Sequence, residues 1–141
     1  MGSENTMPTS TSSPPVRILV VEDNRDAAFI LSKVLQWHGY DVQVQHTGLE
    51  GVEAALSYQP HIAILDLGLP DIDGWQVARR LQEHLPTRPV LIALTGYGQE
   101  DYRRKSAETG FDHHLLKSIS PNELLAVLQD TVQRRGFTAA S

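Results

Sequence analysis

The chain has 141 residues, 40% hydrophobic and 21% charged, enough for one domain with a buried core. A net charge of −5 argues against direct binding of nucleic acid, whose phosphates need clustered Lys and Arg, and the lack of cysteine excludes disulfides, thiolate nucleophiles and cysteine-held zinc. No apolar run is long enough to span a bilayer and the N-terminus lacks a signal peptide's apolar stretch, so a cytoplasmic location with no membrane contact is the default expectation.

Residues 1–15 are mostly Ser, Thr, Pro, Asn and Gly and predict a disordered tail or linker. The folded domain is expected over 16–135, with a frayed tail at 136–141. Inside it a strand–helix pair recurs five times. Arg17 to Val21 predicts a strand. The helix after it carries Ala27, Ala28, Ile30, Leu31, Val34 and Leu35 as its apolar stripe, and Gly39 stands where a helix-ending glycine belongs. Asp41 to Gln45 alternates like a half-buried edge strand. Thr47 and Glu50 have capping-box spacing for a second helix.

His61 to Leu65 is nearly all apolar, as a central parallel strand should be. Trp75 to His84 predicts a helix with Trp75, Val77, Ala78 and Leu81 inward. Val90 to Leu94 is the fourth strand. Gln99 to Thr109 is a polar helix ended by Gly110, and Asp112 to Leu116 is the fifth strand. Ser120, Pro121 and Glu123 then start a last amphipathic helix, which ends near Arg134. The alternation predicts an α/β fold, a doubly wound five-stranded parallel sheet with ligands bound outside the strand C-termini.

Polar residues stand at those C-termini: Glu22 and Asp23, then Asp66, Thr95 and Lys117. Three carboxylates at one rim repel, and a hard cation such as Mg²⁺ relieves the repulsion. Asp66 closes an apolar strand, where an unpaired carboxylate is costly. A carboxylate so placed can take a phosphoryl group, with Mg²⁺, the Lys117 ammonium and the Thr95 hydroxyl on its oxygens. Each residue alone has a plainer reading. Glu22-Asp23 can be a solvated loop beside a capping Asn24, Lys117 a surface residue, Thr95 a turn former. Their joint placement carries the argument.

The six histidines (His38, His46, His61, His84, His113, His114) lack the helical spacing of a metal pair and read as surface or satisfied core groups. Trp37 and Trp75 fit helix packing. Arg103-Arg104-Lys105 reads as a solvated helix face, and Arg134-Arg135 suits a helix C-terminus.

Four stretches carry a resemblance. They are Ile18 to Asp26, Ile64 to Trp75, Ala93 to Gly98 and Gly110 to Lys117. In that order they resemble the receiver domain of two-component response regulators, including receivers of hybrid sensor kinases, over about residues 16–134. The resemblance implies a flavodoxin-like (βα)5 fold with strand order 2-1-3-4-5. It implies Asp66 as phosphoacceptor, Glu22, Asp23, Asp66 and the Gly68 carbonyl around Mg²⁺, Lys117 as the ion-pairing lysine, and Thr95 and His114 as switch positions. It further implies a histidine kinase or histidine phosphotransfer protein as donor, a downstream protein effector, and a monomer or phosphorylation-dependent dimer. The chemistry implied is self-phosphorylation and autodephosphorylation only, so the chain is expected to signal rather than to turn over substrate.

Two positions depart from the family pattern. Ser118 follows the lysine where proline is usual, which leaves the isomer of the Lys117–Ser118 bond open. His114 replaces the usual aromatic switch residue and adds a titratable ring. The sequence shows no output domain after Arg135, so a surface on the fourth helix, fifth strand and fifth helix is expected to contact another protein. Rival readings are a haloacid-dehalogenase-type phosphatase, disfavoured by Gly68 where a second acid belongs, a flavodoxin-like cofactor binder, disfavoured by the acidic rim, and a degenerate receiver used only for docking.

Overall fold

Five parallel strands form one sheet in the order β2-β1-β3-β4-β5. They are β1 (Arg17–Val21), β2 (Asp41–Gln45), β3 (Ile62–Asp66), β4 (Val90–Thr95) and β5 (His113–Leu116), alternating with α1 (Arg25–Trp37), α2 (Gly48–Tyr58), α3 (Gly74–His84), α4 (Glu100–Thr109) and α5 (Pro121–Arg135). The structure is a computed structural model that describes residues 14–96 and 100–137, without the side chains of 100–103 and 106. Tyr97, Gly98, the helix start expected at Gln99 and most of both expected tails lie outside the described residues.

Alternation along each strand builds a core on both faces of the sheet. Leu19, Val21, Ala63, Leu65, Leu91 and Ala93 pack against Ala55 of α2 and Val77, Ala78 and Leu81 of α3. Ile18, Val20, Ile62, Ile64 and Ile92 face the other way, onto Leu35 of α1 and Leu124, Leu125 and Leu128 of α5. Each fully buried Leu or Ile contributes about 1.5–3 kcal/mol of transfer free energy. The central β3 is buried throughout, while β2 at the edge is only partly covered.

Local chemistry sets the helix starts. Asn24 accepts from the Ala27 amide at 2.9 Å and Asp73 from the Gln76 amide at 2.9 Å. Ser120 and Glu123 complete a reciprocal capping box, with Pro121 at the first helical position. Thr47 accepts from the Glu50 amide at 3.2 Å, which is one half of the box expected there.

Some expectations need correction. Ala27 and Ile30 are exposed, and the buried face of α1 is Ala28, Ser32 and Leu35. Ser32 can be buried because its hydroxyl donates to the Phe29 carbonyl at 2.8 Å. Trp37 does not pack: at the end of α1 it is 88% exposed, whereas Trp75 is buried as expected. The third and fifth strands start one residue later than expected, at Ile62 and His113. Gly39, at φ +92°, does end α1 in the backbone region that favours glycine.

Candidate functional site

The strand register explains why distant polar residues meet. Val21 pairs with Leu65, Asp66 with Leu94, and Thr95 with Leu116. The four strands β1, β3, β4 and β5 therefore end at nearly one level. Glu22, Asp66, Thr95 and Lys117 lie at or just beyond those ends. The Lys117 amide also donates to the Thr95 carbonyl at 2.8 Å, which ties the fifth strand end to the fourth.

Asp66 is 5% exposed and Glu22 6%. A buried carboxylate without a partner costs several kcal/mol, so the partners matter more than the burial. Lys117 supplies them. Its Nζ lies 2.9 Å from Asp66 Oδ2 and 3.0 Å from Glu22 Oε1. The second oxygen of Asp66 accepts from the Gly68 amide at 2.9 Å, and the second oxygen of Glu22 from the Asn24 amide at 3.0 Å.

These contacts separate the two acids. Burial pushes the Glu22 carboxyl up to about 7, against the pull of the Asn24 amide and Lys117, and the Asp66 charge adds to the rise. Burial would also raise Asp66, but the Lys117 and Gly68 hydrogen bonds outweigh it and hold that carboxyl below its usual range. Burial lowers the Lys117 ammonium, and its bonds to Asp66 and Glu22 more than reverse the effect, so its pKa is raised. At neutral pH Asp66 is an anion beside a cation. Glu22 is the acid whose charged form burial disfavours.

Asp23 completes the cluster. One carboxylate oxygen from each of Glu22, Asp23 and Asp66 lies within 4.8 Å of the others. Hard oxygen donors on a partly exposed rim fit Mg²⁺, which keeps several waters and uses one or two carboxylates. A cleft of about 470 Å³ opens over the cluster, lined by Asp23, Asp66, Gly68, Trp75, Thr95 and Lys117 among others. The Cα of Gly74 lies so close beneath the loop that a Cβ there would stand 2.5 Å from the Asp66 carbonyl.

Every residue expected at the rim is therefore brought to it. Asp23, Asp66, Gly68, Thr95 and Lys117 border one cleft, Glu22 joins them through the carboxylate cluster and its ion pair with Lys117, and Thr95 is buried. His114 lies back from that rim, two residues before the end of β5, paired with Ala93 in the β4–β5 ladder. No cis peptide occurs among the described residues, so the Lys117–Ser118 bond is trans and still delivers the ammonium to Asp66. The histidines stay outside the cluster among the described residues.

Sequence reasoning placed Trp75 in the core but missed that it lines the cleft. It also missed that Lys105 of α4 lies with its Nζ 4.3 Å from the Trp75 ring centroid, a cation–π contact rather than a purely solvated face. Arg134 and Arg135 pair with Asp130 and Asp112 at 2.8 and 3.1 Å.

Residues 18–129 match the family model described as response regulator receiver domain. The chain is 38% identical over 123 residues to the probable transcriptional regulatory protein SilR of Salmonella typhimurium, covering 87% of this chain and 53% of that protein. It is 36% identical over 121 residues to the transcriptional regulatory protein CusR of Escherichia coli K12, covering 86% and 52%. The chain thus spans about half the length of the curated relatives it matches. Among solved structures, the BeF3-activated DrrB receiver domain superposes with a TM-score of 0.76 at 28% identity, over 84% of this chain and 98% of that one. A CheY-like receiver domain protein of Methanospirillum hungatei gives 0.81 at 24% identity, over 86% and 97%, and supports the fold. The chain belongs to the response regulator receiver domain family of two-component systems.

Proposed function

We propose that Asp66 accepts a phosphoryl group from a phosphohistidine on a histidine kinase or histidine phosphotransfer protein. The supporting observation is the contrast at the rim, where a buried Asp66 stays ionised against Lys117 while Glu22 is pushed toward neutrality. An Asp66 carboxylate oxygen attacks phosphorus, and the phosphorus–nitrogen bond breaks. The electron pair stays on the imidazole nitrogen of the donor, and an acyl phosphate forms on Asp66. The Lys117 ammonium and the Thr95 hydroxyl hold phosphoryl oxygens, positioned in advance by the strand ends.

Mg²⁺ fits the three carboxylates. Asp23, Asp66 and the Gly68 carbonyl would hold it, with Glu22 acting through water. When bound, it supplies charge neutralisation among the carboxylates and the incoming oxygens. Trp75 walls one side of the cleft.

The receiver unit is 16–135, and it works by presenting a surface rather than by turning over substrate. Phosphorylation biases a two-state equilibrium, with Thr95 and His114 as the moving positions and a protein effector reading the face of α4, β5 and α5. Phosphorylation-dependent dimerisation is one form that reading can take. No described helix is long and apolar enough to cross a membrane, in keeping with a cytoplasmic signalling role.

The test sets stoichiometric labelling against turnover. With acetyl phosphate and Mg²⁺ the chain should take up one phosphoryl group that hydroxylamine removes. Sustained hydrolysis of a generic phosphate monoester would instead mark a phosphatase, and no labelling would mark a receiver used for docking alone.

A further inference from the structure

The turn between β2 and α2 touches both sides of the carboxylate cluster. On one side His46 Nδ1 donates to the Glu22 carbonyl at 3.0 Å, and the Glu22 amide donates to the Gln45 carbonyl at 3.0 Å. On the other side Asp71, in the loop between β3 and α3, accepts the Gly48 amide on Oδ1 and the Leu49 amide on Oδ2, each at 2.8 Å. These are the first two amides of α2, and no carbonyl of the helix can reach them. A carboxylate there also suits the positive end of the helix dipole.

The packing is tight on both sides. A Cβ on Gly48 would lie 2.5 Å from Ile72 Cγ1 and 2.9 Å from the Ile72 carbonyl oxygen. One on Gly51 would lie 2.7 Å from Val21 Cγ2. The first turn of α2 is thus wedged between the chain that carries Glu22 and Asp23 and the loop that carries Gly68.

We propose that Asp71 is a positioning residue. It locks the Gly68 loop to the N-terminus of α2 and, through His46 and Val21, fixes the spacing between that loop and the Glu22-Asp23 segment, so that the site favours Mg²⁺ over Ca²⁺. The inference rests on the reading of the cluster as a Mg²⁺ site. Mg²⁺ demands short, near-octahedral bonds, whereas Ca²⁺ tolerates longer and irregular ones. A loosened ligand frame therefore penalises the smaller ion first.

Calorimetric titration of the full chain with Mg²⁺ and with Ca²⁺ tests this in the wild type, Asp71→Asn and Thr47→Ala. Thr47→Ala removes another cap of α2 but leaves the Asp71 link in place. Asp71 is exposed, so Asp71→Asn should still fold, and a thermal melt checks that it does. Asp71→Asn should weaken Mg²⁺ binding by about tenfold, the low end for outer partners of a metal site, while Ca²⁺ binding changes far less. Thr47→Ala should melt lower yet bind both ions as the wild type does. Unchanged Mg²⁺ affinity in Asp71→Asn, equal weakening of both ions, or the same selectivity loss in Thr47→Ala overturns the positioning role alone. A wild type that binds no Mg²⁺ overturns the reading of the cluster, and the positioning role with it.

Discussion

The Lys117 ammonium lies 2.9 Å from the Asp66 carboxylate across 51 residues of chain. The same nitrogen reaches Glu22 at 3.0 Å, so one cation serves two buried acids from the end of a different strand. A single charge shared this way leaves an excess of negative charge at the rim. In the proposed function that excess would attract Mg²⁺, while the lysine keeps the Asp66 carboxyl below its usual range.

Replacing the lysine should therefore impair chemistry more than folding. The Lys117 side chain is 38% exposed, so solvent screens its contribution to stability. Lys117→Met should slow labelling by acetyl phosphate by about 10²–10³-fold, the usual loss for one preorganised charge-stabilising group. Labelling at the wild-type rate would remove Lys117 from the site.

Glu22 predicts a pH signature of the metal-free protein. Its folded-state pKa, about 7, lies above its ordinary value of 4.5, because burial disfavours the charged form. Its favourable contribution is thus complete below pH 4.5 and is lost as pH rises through 7. In chelator, Glu22→Gln should gain stability relative to the wild type as pH goes from 5 to about 8. Thermal melts across that range check it, and a pH-independent difference between the two proteins contradicts it.

His61 predicts the opposite trend. Burial, then the nearby Arg17 charge, lowers its pKa from 6.5, and its Nδ1 accepts the Arg17 amide at 2.9 Å. Its contribution is present above pH 6.5 and is lost as pH falls through the lowered folded value. Asn keeps an acceptor near the Nδ1 position but does not titrate. His61→Asn should lose less stability than the wild type between pH 7 and 5, by the same melts.

Gly74 predicts a steric limit beneath Asp66. A Cβ there would meet the Asp66 carbonyl at 2.5 Å and Leu67 Cα at 2.9 Å, both backbone atoms that cannot rotate away. Gly74→Ala should cost about 1–3 kcal/mol in denaturant unfolding, the range for overpacking a tight interior. It should also slow labelling, because the displaced backbone is that of Asp66 itself.

Much of this site could be read from sequence because each group ends a strand. Asp66 stands out after four apolar residues, and strand ends in a parallel sheet converge without further information. Lys117 was a weaker signal, since only its contact with Asp66 separates it from a surface lysine. Asp71 carried no local signal at all: its partners are 22 and 23 residues away, at the start of a helix that periodicity alone does not place beside it. The face of α1 was misread for a related reason. Ile30 and Trp37 are apolar, but the sheet covers only one side of that helix, and Ser32 takes a buried place by bonding its own backbone. Apolar spacing identifies a helix and leaves open which residues its neighbours reach.

Intact mass after incubation with acetyl phosphate and Mg²⁺ tests the central claim most directly. The wild type should gain one phosphoryl group, and neither Asp66→Asn nor wild type in chelator should gain any. A wild type that stays unmodified, or an Asp66→Asn variant labelled to the same extent, contradicts the assignment of Asp66 as the acceptor.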